Sequence, residues 1–196
     1  MCAAMHDSTR IRCSPLEPRH WPAVERLFGT RGACAGCWCM FWRAPYGGTR
    51  FDADKGAVNR RKFRDLIARG VAQGCLAWRG EEAVGWVSAG PRESFPYFER
   101  SRVLAPLPGE RVWSITCFFV PAPQRREGIA SALLRAAVGL AREQGARIVE
   151  GYPVEPKRGA TVAAAFAWTG VPALFERAWF SAQRHSSGRL IYRRTV

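Results

Sequence analysis

The chain has 196 residues, 47% of them hydrophobic, which is enough for one sizeable core but leaves little chain for a second domain; one domain is expected, with its core over about residues 11–194. No apolar run approaches the roughly 20 residues of a membrane-spanning helix, and the opening MCAAMHDSTRIRC lacks the apolar centre of a signal peptide, so a cytoplasmic protein without membrane contact is predicted. The net charge of +14 comes from 30 basic residues, all but three of them arginine, scattered along the chain; this dispersal argues against specific nucleic-acid binding and in favour of steering an anionic ligand.

Ile11 to Ser14 reads as a short strand, and a helix follows through Trp21, Val24, Leu27 and Phe28, with Pro22 in the first turn where its missing N–H does no harm. Glu17 and Glu25 are expected in solvent. Residues 29–50 hold Cys34, Cys37 and Cys39 among Trp38, Met40, Phe41, Trp42 and Tyr46. Three thiolates are one ligand short of a structural zinc site and no histidine lies nearby, so no metal is expected. The segment reads as an aromatic loop that either closes the core or walls a pocket, the pocket wall being slightly favoured. With seven cysteines in all, an odd number, and two of them (Cys75, Cys117) in apolar strand-like runs, no disulfide framework is suggested.

Asp54 to Gly70 contains a helix with Val58, Phe63, Leu66 and Ile67 inward and Arg60, Arg61, Lys62 and Arg64 outward, stopped by Gly70. Cys75 to Trp78 and Ala83 to Ala89 form a hairpin about the turn at 79–82. The connector from Pro91 to Glu110 has four prolines and is too long for a simple turn, which makes Glu93 and Glu99 candidate ligand contacts, though surface placement is favoured.

The stretch from Trp113 to Gly145 organises the chain. An apolar strand to Val120 meets a loop broken by Pro121 and Pro123, and Gln124-Arg125-Arg126-Glu127-Gly128-Ile129-Ala130 then opens an alanine- and leucine-rich helix. Small residues at a helix start let a ligand approach the backbone, where free N–H groups and the positive end of the dipole favour phosphate. Arg125 and Arg126 add guanidinium forks suited to phosphate oxygens. A solvated basic helix start is the competing reading. Cys117 as an acyl-carrying nucleophile is rejected, since no histidine lies close in sequence. A second apolar strand, Arg147 to Tyr152, ends in Glu150-Gly151-Tyr152-Pro153, followed by a connection with an alanine-rich turn at 161–168. Trp179 to Gln183 and Leu190 to Tyr192 are the last two strand candidates, joined by a polar turn at 185–188.

Arg125-x-x-Gly128-x-Ala130, between a strand and a helix, resembles the Q/R-x-x-G-x-G/A acetyl-CoA signature of the GNAT N-acetyltransferases, and FFV before it, the strand after it and LFERAWF near the C-terminus fall in that family's order. The likeness covers roughly Ile11 to the end and is weakest over 30–70. It implies an α/β (α+β) fold, a central mostly antiparallel sheet of six to seven strands with helices on both faces, splayed between strands four and five. It implies that the amides from Arg126 to Ser131, Glu127, Ile129 and Ala130 included, bind the pyrophosphate of acetyl-CoA. Phe118, Phe119 and Val120 would pair with the pantetheine arm, the Phe119 or Val120 amide polarising the acetyl carbonyl. Glu150 is the candidate base for a primary amine and Tyr152 its helper through a water, being the polar groups nearest the gap. Phe175 stands where many members carry a tyrosine that protonates the leaving thiolate, and Trp179 where many carry glycine. These two departures favour, as an alternative, a noncatalytic acetyl-CoA-binding relative. An aromatic pocket with few acids leans toward a small, partly apolar acceptor. A homodimer is compatible with the resemblance, with no interface fixed.

Overall fold

The computed structural model describes residues 10–45, 49–155, 167–185 and 187–196. Strand β1 (Ile11–Pro15) leads to helix α1 (Trp21–Phe28), whose Trp21, Val24, Leu27 and Phe28 are buried as their spacing predicts. Helices α2 (Thr49–Ala53) and α3 (Ala57–Ala68) follow; α3 buries Phe63 and Ile67, half-buries Val58 and Leu66, and also buries Asn59. The hairpin is β2 (Gly74–Arg79) and β3 (Glu82–Pro91). The connector carries helical turns, among them α4 (Tyr97–Arg100), because Phe95 and Phe98 are drawn into a buried cluster and fold the chain inward. Then come β4 (Val112–Phe119), α5 (Ile129–Glu143), β5 (Ile148–Gly151), α6 (Pro172–Glu176), β6 (Ser181–Arg184) and β7 (Leu190–Thr195). Tyr46 and most of the alanine-rich turn, residues 161–166, lie outside the described residues. Among the described residues no helix is long and apolar enough to cross a membrane.

The seven strands among the described residues form one sheet in the order β1-β2-β3-β4-β5-β7-β6, antiparallel at every junction except the parallel β4–β5 pair. One face is covered by α5, whose Leu133, Leu134, Ala137 and Ala141 pack against Val84, Val87, Ile115 and Val149. The other carries α1, α3 and the 29–45 segment over Leu76, Trp86 and Cys117. A bulge at Ser88/Ala89, opposite Thr116, reverses the parity of β4: Trp113 and Ile115 face α5 before it, Phe118 after it, and Cys117 turns to the opposite face. The aromatic loop packs into two clusters. Trp38 and Met40 close the core, while Phe41 and Trp42 join Tyr97, Phe98, Tyr152 and Trp168 in a separate cluster.

The β4–β5 pairing is short. It runs from Val112↔Ile148 to Ile115↔Gly151 and then stops, although β4 continues to Phe119. Beyond it the chain leaves along Tyr152 and Pro153, and Val154 N–H donates to Gly170 O at 3.0 Å. Gly151 sits where the strands part: a Cβ there would lie 2.1 Å from a ring carbon of Phe175. Gly151→Ala should therefore force Phe175 out of place and destabilise the fold by about 1–3 kcal/mol, read as a lower urea midpoint at unchanged slope.

Burial also fixes the behaviour of the thiols. Desolvation pushes Cys37 and Cys75 up to about 12, and Cys39 well above its ordinary value. An unburied thiol ionises at about 8.5. The folded state keeps the protons, so their stabilisation is complete below that pH and is lost as pH rises toward the folded values. Chemical denaturation between pH 9 and 11 should show stability falling by roughly 1.4 kcal/mol per pH unit for each such thiol, and Cys75→Ala should reduce the slope.

Candidate active site

The loop between β4 and α5 is built as its composition predicts. After β4 the prolines impose a short 3-10 turn, Ala122–Gln124, and the chain enters α5 through two left-handed residues, Arg126 (φ 69) and Gly128 (φ 78). Gly128 caps α5 with no side-chain hydrogen bond, so no side chain closes off the first N–H groups of the helix. Added bulk at Gly128 would meet nothing within 4 Å; its need is the backbone angle. In front lies a cleft of about 330 Å³, lined by Val120, Gln124, Arg125, Arg126, Gly128, Ile129, Ala130, Ser131, Val171, Leu174 and Arg177. Three arginines and no carboxylate face this space, a composition that suits a pyrophosphate.

Several expected contacts are placed differently. Arg125 turns back so that its Nε donates to Val120 O at 2.9 Å, bracing the loop. Glu127 leaves the cleft to pair with Arg79 of β2, whose other nitrogen donates to Gln124 Oε1 at 2.6 Å. Phe118 N–H is engaged by Trp168 O at 2.6 Å, so an extended ligand arm along β4 would meet the Trp168 segment there. Phe175 is 0% exposed, packed beneath Gly151 and against Phe118, Phe180 and Tyr192; its neighbour Leu174 reaches the cleft instead.

Glu150 and Tyr152 are brought together, but not at an opening. Their i,i+2 spacing puts both side chains on one face, and Tyr152 OH donates to Glu150 Oε2 at 2.7 Å. Cross-strand register adds Ser114 of β4, whose hydroxyl is 2.8 Å from Tyr152 OH, and Arg193 of β7, whose Nε is 3.0 Å from Glu150 Oε1 but off the line of a hydrogen bond. Arg92, from the turn after β3, stacks over Phe98 at 4.1 Å and donates to Tyr152 OH (2.7 Å) and Glu150 Oε2 (3.1 Å). Glu150 is 1% and Tyr152 0% exposed. Burial, then the adjacent Glu150 charge, raises the phenol well above its ordinary range and keeps it protonated. The expected base is thus the hub of a buried network, because Arg92 folds over it from the connector. Sequence reasoning missed Arg92 and Arg193; the polar Ser114 and Thr116 inside an apolar strand were the one signal that the strand faces a polar layer.

Glu93 and Glu99 line a surface cavity of about 750 Å³ beside Val112, at the end of β4 away from the α5 start. Another buried cation, Arg43, spans Val71 O, Gln73 O and Ser88 Oγ at 3.2–3.3 Å, stacked on Phe95. Among the described residues no group of three or more His, Cys, Asp or Glu is arranged to hold a metal ion; Cys39 Sγ instead receives Trp86 Nε1 at 2.9 Å.

Residues 35–161 match the model of the Acetyltransferase (GNAT) family. No curated protein matches the chain in sequence. Among solved structures, yncA from Salmonella typhimurium with its cofactor acetyl-CoA superposes with a TM-score of 0.55 at 12% identity, over 94% of this chain and 93% of that one. The paia N-acetyltransferase of Thermoplasma acidophilum in complex with coenzyme A gives 0.52 at 10% (95% and 99%), and the ribosomal-protein-alanine N-acetyltransferase of Brucella melitensis 0.53 at 17% (95% and 99%). At these identities the likeness is one of fold. The family match covers more than half of the chain: the chain belongs to the GNAT acetyltransferase family, which uses acetyl-CoA as cosubstrate.

Proposed function

We propose that the protein is an N-acetyltransferase that binds acetyl-CoA in the cleft before α5 and passes its acetyl group to a primary amine of a small, partly apolar molecule. The observation that carries the reading is the conjunction of an acid-free, arginine-lined helix start with the parting of β4 from β5. Bound there, acetyl-CoA supplies an activated acetyl group. The amides from Arg126 to Ser131 and the Arg126 guanidinium hold the pyrophosphate, and the backbone at Phe119 and Val120 offers an N–H to the carbonyl oxygen as negative charge develops. The aromatic cluster of Phe41, Trp42, Tyr97 and Trp168 gives the acceptor side an apolar wall.

In this reading Glu150 and Tyr152 are positioning residues. They tie β4, β5, β7 and the connector together just below the gap, and the amine gives its proton to water. A family member that binds acetyl-CoA without turnover is the competing reading, favoured by Phe175.

Ser131→Glu tests the cleft. A carboxylate in the first turn of α5 is welcome to the helix dipole yet repels phosphate, so melting temperature should hold while acetyl-CoA affinity by calorimetry falls at least about tenfold. Retained affinity would place the cosubstrate elsewhere. Tyr152→Phe tests the network's role: a positioning role predicts a loss below about tenfold in kcat/KM with the pH profile unmoved, whereas direct acid–base work predicts a loss of about 10²–10⁴ and a shifted limb.

A further inference from the structure

The anion cleft carries more positive charge than a pyrophosphate requires, and the surplus has an address. Of its three arginines, Arg125 is committed to Val120 O and Arg126 belongs to the loop at the α5 start. The third, Arg177, comes from the opposite wall, at the C-terminal cap of α6. It is exposed and has no side-chain hydrogen bond or ion pair among the described residues. The acids that could neutralise it are directed elsewhere. Glu176, its neighbour, accepts from Tyr192 OH at 3.1 Å, and Glu127 across the loop is paired with Arg79.

A cation lining an acid-free cleft, unpaired among the described residues, is placed for an anion that arrives with a ligand. Coenzyme A carries its pyrophosphate and, separately on the ribose, a 3′-phosphate monoester with a second ionisation near pH 6. Resting on the acetyl-CoA reading above, we infer that Arg177 binds the 3′-phosphate and makes the enzyme select coenzyme A over its dephospho form. The two walls of the cleft then divide the cosubstrate: the α5 side takes the pyrophosphate through backbone N–H groups and Arg126, and the α6 side takes the dianionic monoester through a guanidinium fork.

The test compares acetyl-CoA with acetyl-dephospho-CoA by calorimetry, at pH 5.5 and 7.5, on the wild type, Arg177→Ala and Arg177→Lys. The wild type should prefer acetyl-CoA by on the order of tenfold or more at pH 7.5, and by less at pH 5.5, where the monoester carries less charge. Arg177→Ala should lose that preference by weakening acetyl-CoA alone, and Arg177→Lys should recover part of it. Arg177 lies at the surface, so melting temperatures should agree. Equal weakening of both ligands, or a wild-type preference near one, would overturn the assignment while leaving the acetyl-CoA site intact. Failure of the wild type to bind either ligand would remove the reading on which it rests.

Discussion

The structure depends on where β4 and β5 stop pairing. Two parallel strands held by a full ladder would close the sheet and leave no place for an extended ligand; here the ladder lasts from Val112 to Ile115 and is then abandoned. Backbone chemistry ends it. Pro153 has no N–H to offer, and Gly151 admits the ring of Phe175 so closely that no side chain fits at that position. What keeps the parting from running further down the sheet is the polar layer beneath it. Glu150, Tyr152, Ser114, Arg92 and Arg193 come from β4, β5, β7 and the connector, so separation of the strands below Ile115 would strip a buried carboxylate of its partners. Breaking a buried charge pair typically costs about 3–5 kcal/mol, far more than one ladder hydrogen bond, so the apex of the gap stays fixed.

The same arrangement explains why charge is concentrated in function though dispersed in sequence. The chain carries +14 overall, but most arginines with described partners are spent on backbone carbonyls or on single carboxylates. Around the α5 start the pairing is asymmetric. Glu127, the one acid in the loop, is drawn off to Arg79 on β2, which removes a negative charge from the cleft and braces the loop against the sheet. One ion pair thereby serves both geometry and potential. It is a surface pair, so its worth lies in aiming the loop more than in stability.

The legible parts of the fold were those where burial enforces a period. The stripe of α1, the long apolar face of α5 and the two hairpin strands follow directly from residues that must leave water. The connector was illegible because its order comes from Phe95 and Phe98 packing under Trp42 and Tyr152, contacts that no local spacing encodes. In the candidate site the loop and the start of α5 at Gly128 could be read from the sequence, since helix-start chemistry is local, whereas the turning away of Arg125 and Glu127 could not. Glu150 was found but its role was not: the arginine that covers it lies 58 positions earlier, in a stretch that reads only as proline-rich loop. Likewise Phe118 and Phe175 occupy expected places in the chain, but the bulge at Ser88/Ala89 and the glycine at 151 decide which way each is used.

The phenylalanine at 175 bears on the chemistry as well as the packing. Of the two buried phenols among the described residues, Tyr192 beside it donates to Glu176 and Tyr152, in a separate cluster, donates to Glu150, and neither lines the cleft. In the proposed reaction, then, neither of these two phenols is free to hand a proton to the departing sulfur. The demand for one is modest, because a thiol with a pKa near 8.5 leaves readily as thiolate at neutral pH, and a positive cleft stabilises that anion further. The proposed reaction depends more on its opposite pole, an N–H aimed at the carbonyl oxygen where charge first develops, which the proposal assigns to the backbone at the end of β4. On this argument the hydroxyl of a tyrosine at 175 was dispensable once the strand, the gap and the arginines were in place, whereas the close fit of an aromatic ring over Gly151 was not.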